Sequence, residues 1–263
     1  MSKSVIVVVR HACDGGTKPA NEKVTLNGNI NIKNHGEHTI VDGQKITIPV
    51  NWLGDLGLRQ AAALGPALNS FLEDTSKDYC PVSRIITEDT GSNNDDGTPN
   101  PLKTISYYAN STNAQQAVSF DIYQGGDIPD PNMFSIDSLL RDGIGSYSTV
   151  VCWEIKGMWR QGHGTPYCKK SILGLLGHCG SKGGKVANYE QMKTHQPFKG
   201  QIVYVFECNE DKSLTLKMYN FDVNQPVGSQ FTEIKSDSPW PTNLCQDCEK
   251  HDVSQCKKHA ETA

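Results

Sequence analysis

The run Ser4-Val5-Ile6-Val7-Val8-Val9-Arg10-His11 constrains this chain more than any other stretch. Five successive β-branched residues favour a strand, and an apolar run without alternation suits a strand covered on both faces, as in the parallel sheets of α/β proteins. In such sheets ligands sit beyond the carboxyl ends of the strands. Arg10 and His11 stand at that end, followed by Ala12-Cys13-Asp14-Gly15-Gly16. A guanidinium there can grip an oxyanion in fork geometry, and an imidazole can attack it or relay protons. The plainer reading is an Arg and a His that close a strand, capping carbonyls or facing solvent.

With 263 residues the chain can bury a sizeable core as one large α/β domain. The expected division is a domain over residues 1–235, with an insertion at about 17–51, and a Cys/His-containing tail over 236–263. A net charge of −4 with scattered Lys and Arg gives no footprint for nucleic acid. No apolar run approaches the ~18 residues of a membrane span, and the start lacks a signal peptide's regions. The expectation is a cytoplasmic protein with neither nucleic acid nor membrane as partner. Nine cysteines, an odd number spread from Cys13 to Cys256, do not form a disulfide framework and read mostly as packed thiols.

The strand-Arg-His-small opening resembles the signature of the histidine phosphatase superfamily, whose fold is phosphoglycerate mutase-like. A second segment, from Trp52 through Gly57, Gln60, Ala61 and Leu64 to Gly65, resembles the opening of that family's first helix. The resemblance implies a three-layer α/β/α sandwich with a mostly parallel central sheet. It also implies His11 as the nucleophile and Arg10 as a phosphate clamp.

Residues 17–51 depart from that pattern. Thr25 to Ile32 and Lys45 to Val50 alternate apolar and polar residues, with Asn27-Gly28 and Asp42-Gly43 as turn formers, which reads as an inserted β-hairpin or ribbon overhanging the pocket. His35 and His38 fall in its Gly- and Asn-rich turn as exposed loop residues. Helical periodicity follows from about Leu58 to Glu73, where Pro66 either kinks the helix or marks a new first turn. Strands are read at Val82 to Thr87, Ser148 to Trp153, Gly200 to Cys208 and Leu214 to Phe221, and a short buried helix at Lys170 to Gly177.

The remaining family positions are altered. Registering Thr104 on the family's helix-opening threonine places Asn100 where a second phosphate-binding arginine is implied. Lys103 can restore positive charge there as a point charge, the plainer reading being an exposed lysine in a first helical turn. The acidic run at Asn93 to Gly97 reads as a solvated turn. The late strand resembles the one that ends in the family's second catalytic histidine, but Trp153 or, in the better register, Ile155 stands at that position. His163 and His178 are substitutes only if they fold back. The implied proton donor to the leaving group is one of Asp121, Asp127 and Glu154.

The tail offers Cys245 and Cys248 with His251, Cys256 and His259, a zinc-compatible set of shorter spacing than common fingers. A polar tail with free thiols, and no cofactor, is the plainer expectation. Three functions follow. The first is a diverged phosphatase acting on a small anionic metabolite through His11 and Arg10, with help from Lys103. The second is a catalytically silent relative that binds an anionic ligand or protein partner in the same pocket near Asn100. The third is a rebuilt pocket using His11, Cys13 and Glu154 for other chemistry.

Overall fold

The computed structural model describes residues 2–12, 22–26, 29–36, 39–48, 53–89, 100–112, 117–124, 131–140, 143–153, 158, 172–173, 176, 201–210 and 213–235. The opening run forms β1 (Ser4–Arg10), buried throughout. Its residues feed two cores: Val5, Val7 and Val9 pack into one, Ile6 and Val8 into another on the opposite face. With both faces covered, no position from Val5 to Val9 is left for a polar residue.

Seven more strands complete this sheet: β3 (Ile30–His35), β6 (Val82–Asp89), β7 (Val118–Gln124), β8 (Ser148–Trp153), β9 (Gln201–Cys208), β10 (Leu214–Phe221) and β11 (Phe231–Glu233). Their order is β11-β10-β9-β1-β8-β6-β7-β3. From β1 to β3 all neighbours are parallel, whereas β9, β10 and β11 are each antiparallel to the strand before them in the sheet. The fold is therefore α/β, with a large and mostly parallel sheet. Among the described residues no helix is long and apolar enough to cross a membrane.

Helices α1 (Asp55–Leu72) and α2 (Asn100–Ser111) cover one face, where Leu64 and Leu68 of α1 and Leu102 and Ile105 of α2 join the core of Val5, Val7 and Val9. The other face is covered by a 3-10 turn, Pro131–Phe134, by α3 (Ile136–Leu139), and by Met158, Ile172, Leu173 and Leu176. The last three are buried and helical, in the segment read as a short buried helix. α1 runs straight through Pro66 without a new start.

Immediately before that proline, α1 and α2 approach backbone to backbone. A Cβ on Gly65 would lie 2.6 Å from both the carbonyl carbon and the oxygen of Tyr107. Backbone cannot yield as a flexible side chain does, so Gly65→Ala has to push the helices apart. The expected loss is about 1–3 kcal/mol or somewhat more, read as a lower urea midpoint in equilibrium unfolding. The same close packing fixes α2 against the sheet and hence the position of its first turn.

The insertion holds a ribbon, though not all of its alternating residues belong to it. β2 (Glu22–Thr25), β4 (Ile40–Asp42) and β5 (Lys45–Ile48) form a separate antiparallel sheet in the order β2-β5-β4. The Asp42-Gly43 turn does join two of its strands, with Gly43 at φ 57°, where glycine is unstrained. But β3 leaves the ribbon and extends the main sheet, parallel to β7. Its alternation served the large core: Ile30 is buried there and Ile32 packs against it. Asn27, Gly28, Pro49 and Val50 lie outside the described residues.

Candidate functional site

β1 and β8 are parallel neighbours, with Arg10 opposite Trp153 at their carboxyl ends. The chain leaves β1 toward α1 on one face. It leaves β8 toward Met158, Ile172 and Leu176 on the other. Neighbouring strands whose connections depart on opposite faces open a crevice above their ends, where α/β proteins bind ligands. Arg10 and His11 stand at that crevice. Because β9 runs the other way, its first residue reaches the same edge, and Gln201 Nε2 donates to the Arg10 carbonyl at 3.5 Å.

His11 is buried and held by its own neighbour: its Nδ1 lies 2.7 Å from the Ala12 carbonyl oxygen. A carbonyl only accepts, so Nδ1 carries the proton, and Nε2 is the nitrogen with the lone pair in the neutral ring. Ala12 is fixed in turn, its N–H donating to Thr104 Oγ1 at 2.8 Å across 92 residues of sequence. Thr104 is completely buried in the first turns of α2. A chain of two bonds thus runs from α2 through the Ala12 peptide to the imidazole, setting both tautomer and direction.

Lys103 is also completely buried, which overturns the reading of it as an exposed first-turn lysine. With Arg10 at 4% exposure, it puts a second cation among the buried polar residues of this end of the fold. The positive end of α2 adds to them. Asn100, the first residue of α2, is likewise buried.

β6 brings acidic and hydroxyl groups to the same edge. Cys152 pairs with Thr87, so Glu88 and Asp89 reach the level of Arg10 and His11 two strands away, about 10 Å at ordinary strand spacing. Thr87, Glu88 and Asp89 are all buried. Asp89 Oδ2 accepts from the hydroxyl of Thr39, a residue of the insertion. Sequence reasoning ended this strand at Thr87 and passed over the acidic pair. The usable signal was Glu88-Asp89 continuing an apolar run without a turn former.

Asp121 is not brought to the crevice. It sits on β7, three strands from β1, with Oδ2 accepting from Arg84 Nε at 2.7 Å and Oδ1 accepting from the Ser119 hydroxyl at 2.5 Å. Arg84 Nη2 also lies 2.7 Å from that carboxylate, and its Nη1 donates to the Ser138 carbonyl. Both oxygens of Asp121 are engaged away from His11, and the pair pins β6 to β7 and α3. His35 ends β3, exposed, with its ring stacked on Tyr123 at 4.7 Å between centroids.

Cys13, Asp127, Glu154, Ile155, His163, His178, His38 and the acidic run at 93–97 lie outside the described residues, as do Cys245, Cys248, His251, Cys256 and His259. Among the described residues no group of three His, Cys, Asp or Glu side chains converges to hold a metal ion. No protein-family model, curated protein or solved structure matches the chain.

Proposed function

We propose that the chain is a diverged histidine phosphatase-like enzyme with a phosphoglycerate mutase-like, three-layer fold, acting on a small phosphorylated metabolite through His11. The observation that carries this reading is the bond from Nδ1–H to the Ala12 carbonyl, which leaves Nε2 as the nucleophilic nitrogen. Nε2 attacks phosphorus and the ester P–O bond breaks. The leaving oxygen takes a proton from solvent water, and a second water then hydrolyses the N–P bond, releasing inorganic phosphate and neutral His11. Arg10 grips the phosphate oxygens in fork geometry, and Lys103 with the start of α2 offsets the charge that develops on them. The parallel pairing of β1 with β8 supports the fold assignment, since it brings the end of the late strand beside Arg10.

The test is to trap the intermediate. Brief reaction with an aryl phosphate, quenched in alkali, is expected to leave phosphate on the protein in an acid-labile, base-stable form that maps to His11. Turnover with the label on a serine or on no residue would sink the histidine mechanism. Asn100 favours a second reading, since its buried amide stands where the resemblance implies an arginine. In that reading the pocket binds a small anion or a partner without turnover, and the same experiment then gives neither label nor product.

A further inference from the structure

Three buried oxygens at the β6 side of the crevice have no hydrogen-bond partner among the described residues: Thr87 Oγ1, Asp89 Oδ1 and Asn100 Oδ1. None of the three residues is more than 1% exposed. Thr87 and Asp89 are two apart on one strand, so their side chains share a face, the face on which Ile85 meets Leu102 and Ile105 of α2. Asn100 opens that helix. Buried acceptors left open are destabilising, and a buried carboxylate more so unless a cation meets it.

At two other buried carboxylates the molecule supplies that cation. Buried Glu207 has Lys217 Nζ at 2.7 Å and Lys3 Nζ at 3.6 Å, and buried Asp121 has Arg84 at 2.7 Å. Among the described residues, the side chain of Asp89 accepts the Thr39 hydroxyl on Oδ2 and nothing else. Among the described residues no cationic side chain pairs with it. Its Cβ and Oδ2 lie 3.3 Å and 3.2 Å from where a Cβ on Gly36 would stand, so the insertion packs on one side of the carboxylate while Oδ1 stays open.

We infer that Thr87, Asp89 and Asn100 receive a primary ammonium group, so that the ligand of this crevice is a short zwitterion, a phosphate monoester of an amino alcohol or a hydroxy amino acid. The inference rests on Arg10 and His11 taking the phosphate. An ammonium has three N–H donors for three open acceptors, and its charge answers the unpaired carboxylate. The spacing favours it over a small divalent ion. Same-face neighbours on a strand stand roughly 6–7 Å apart. Two oxygens on one small divalent ion, at bonds of about 2.1 Å, stand at most about 4.2 Å apart. Two acceptors of one ammonium at about 2.9 Å can stand up to about 5.8 Å apart, a separation that two side chains leaning together from those positions reach more readily. The lateral distance of about 10 Å between His11 and Asp89, shortened by both side chains, leaves room for a two- or three-atom link.

The experiment is calorimetric titration of the full chain near neutral pH with O-phosphoethanolamine, 2-hydroxyethyl phosphate and ethyl phosphate. These share the phosphate and differ in carrying an ammonium, a hydroxyl or neither. The wild type is expected to bind phosphoethanolamine at least about tenfold tighter than the other two, as charge-assisted hydrogen bonds give. Asp89→Asn is expected to bring the three affinities together without weakening ethyl phosphate. Thr87→Val, which keeps the shape, is expected to lose several-fold for phosphoethanolamine alone and decides the matter if the Asp89 variant does not fold. Equal wild-type affinities, a hydroxyl ester as tight as the ammonium ester, or a preference that survives in Asp89→Asn would each overturn the inference. Binding of ethyl phosphate without any ammonium preference removes this inference and keeps the phosphate site. Binding of no phosphate ester removes both.

Discussion

Replacing His11 with alanine is expected to lower aryl phosphate hydrolysis by about 10⁴-fold or to the solvent background, because removing a nucleophile removes the reaction path and not merely an interaction along it. The loss should fall in kcat. Arg10 and Lys103 remain, so the variant should still bind inorganic phosphate with an affinity near wild type. Thr104→Val provides the graded companion. It keeps shape and burial but deletes the acceptor that fixes the Ala12 N–H, and through Ala12 the imidazole. Its expected loss is smaller, roughly 10–10²-fold in kcat, because a misdirected imidazole still attacks at times. If His11→Ala retains wild-type turnover, His11 is not the nucleophile. If Thr104→Val matches wild type, the two-bond chain does not position the ring.

This site was partly readable in the sequence, for a physical reason. Five β-branched residues without alternation admit few structures other than a strand covered on both faces, so the delivery of Arg10 and His11 to a sheet edge followed from local pattern alone. α1, β6, β8, β9 and β10 were readable in the same way. What could not be read is what depends on pairing across the sequence. Asp121 met Arg84 across 37 residues, and nothing in Phe120-Asp121-Ile122 separates a pinned carboxylate from a turn-forming or catalytic one. β3 alternated like a hairpin strand, yet its apolar side matched the large core beside β7. Glu88 and Asp89 carry a polar composition, and the sequence pattern gives the strand only as far as Thr87. They are strand residues because β7 pairs with both, Glu88 opposite Tyr123 and Asp89 opposite Gln124.

Lys103 is where the two kinds of information conflict most, and its replacement carries the second large expectation. A lysine in a first helical turn is an ordinary solvated residue, and no sequence pattern marks this one as buried. It is buried because α2 is drawn against α1 at Gly65 and against the end of β1 by the bond from Ala12 to Thr104, which sweeps the neighbouring position out of solvent. Desolvating an ammonium is costly, and a fold tolerates it where the charge meets partners or a function. Lys103→Met keeps the length and apolar volume of the stem and removes the charge. If Lys103 helps hold the phosphate, kcat/KM for an aryl phosphate should fall by about 10²–10³-fold, the range for losing one group that stabilises transition-state charge. Affinity for inorganic phosphate should fall in step. Lys103→Arg should recover only part of the loss, since a planar guanidinium fork does not stand in for a compact point charge at a completely buried position. A structural cation would give the opposite pattern: a lower urea midpoint in Lys103→Met, with the surviving folded protein as active as wild type. That outcome would leave Arg10 as the cation on which the proposed phosphate site rests, too little charge for phosphoryl transfer at the rate His11 otherwise allows.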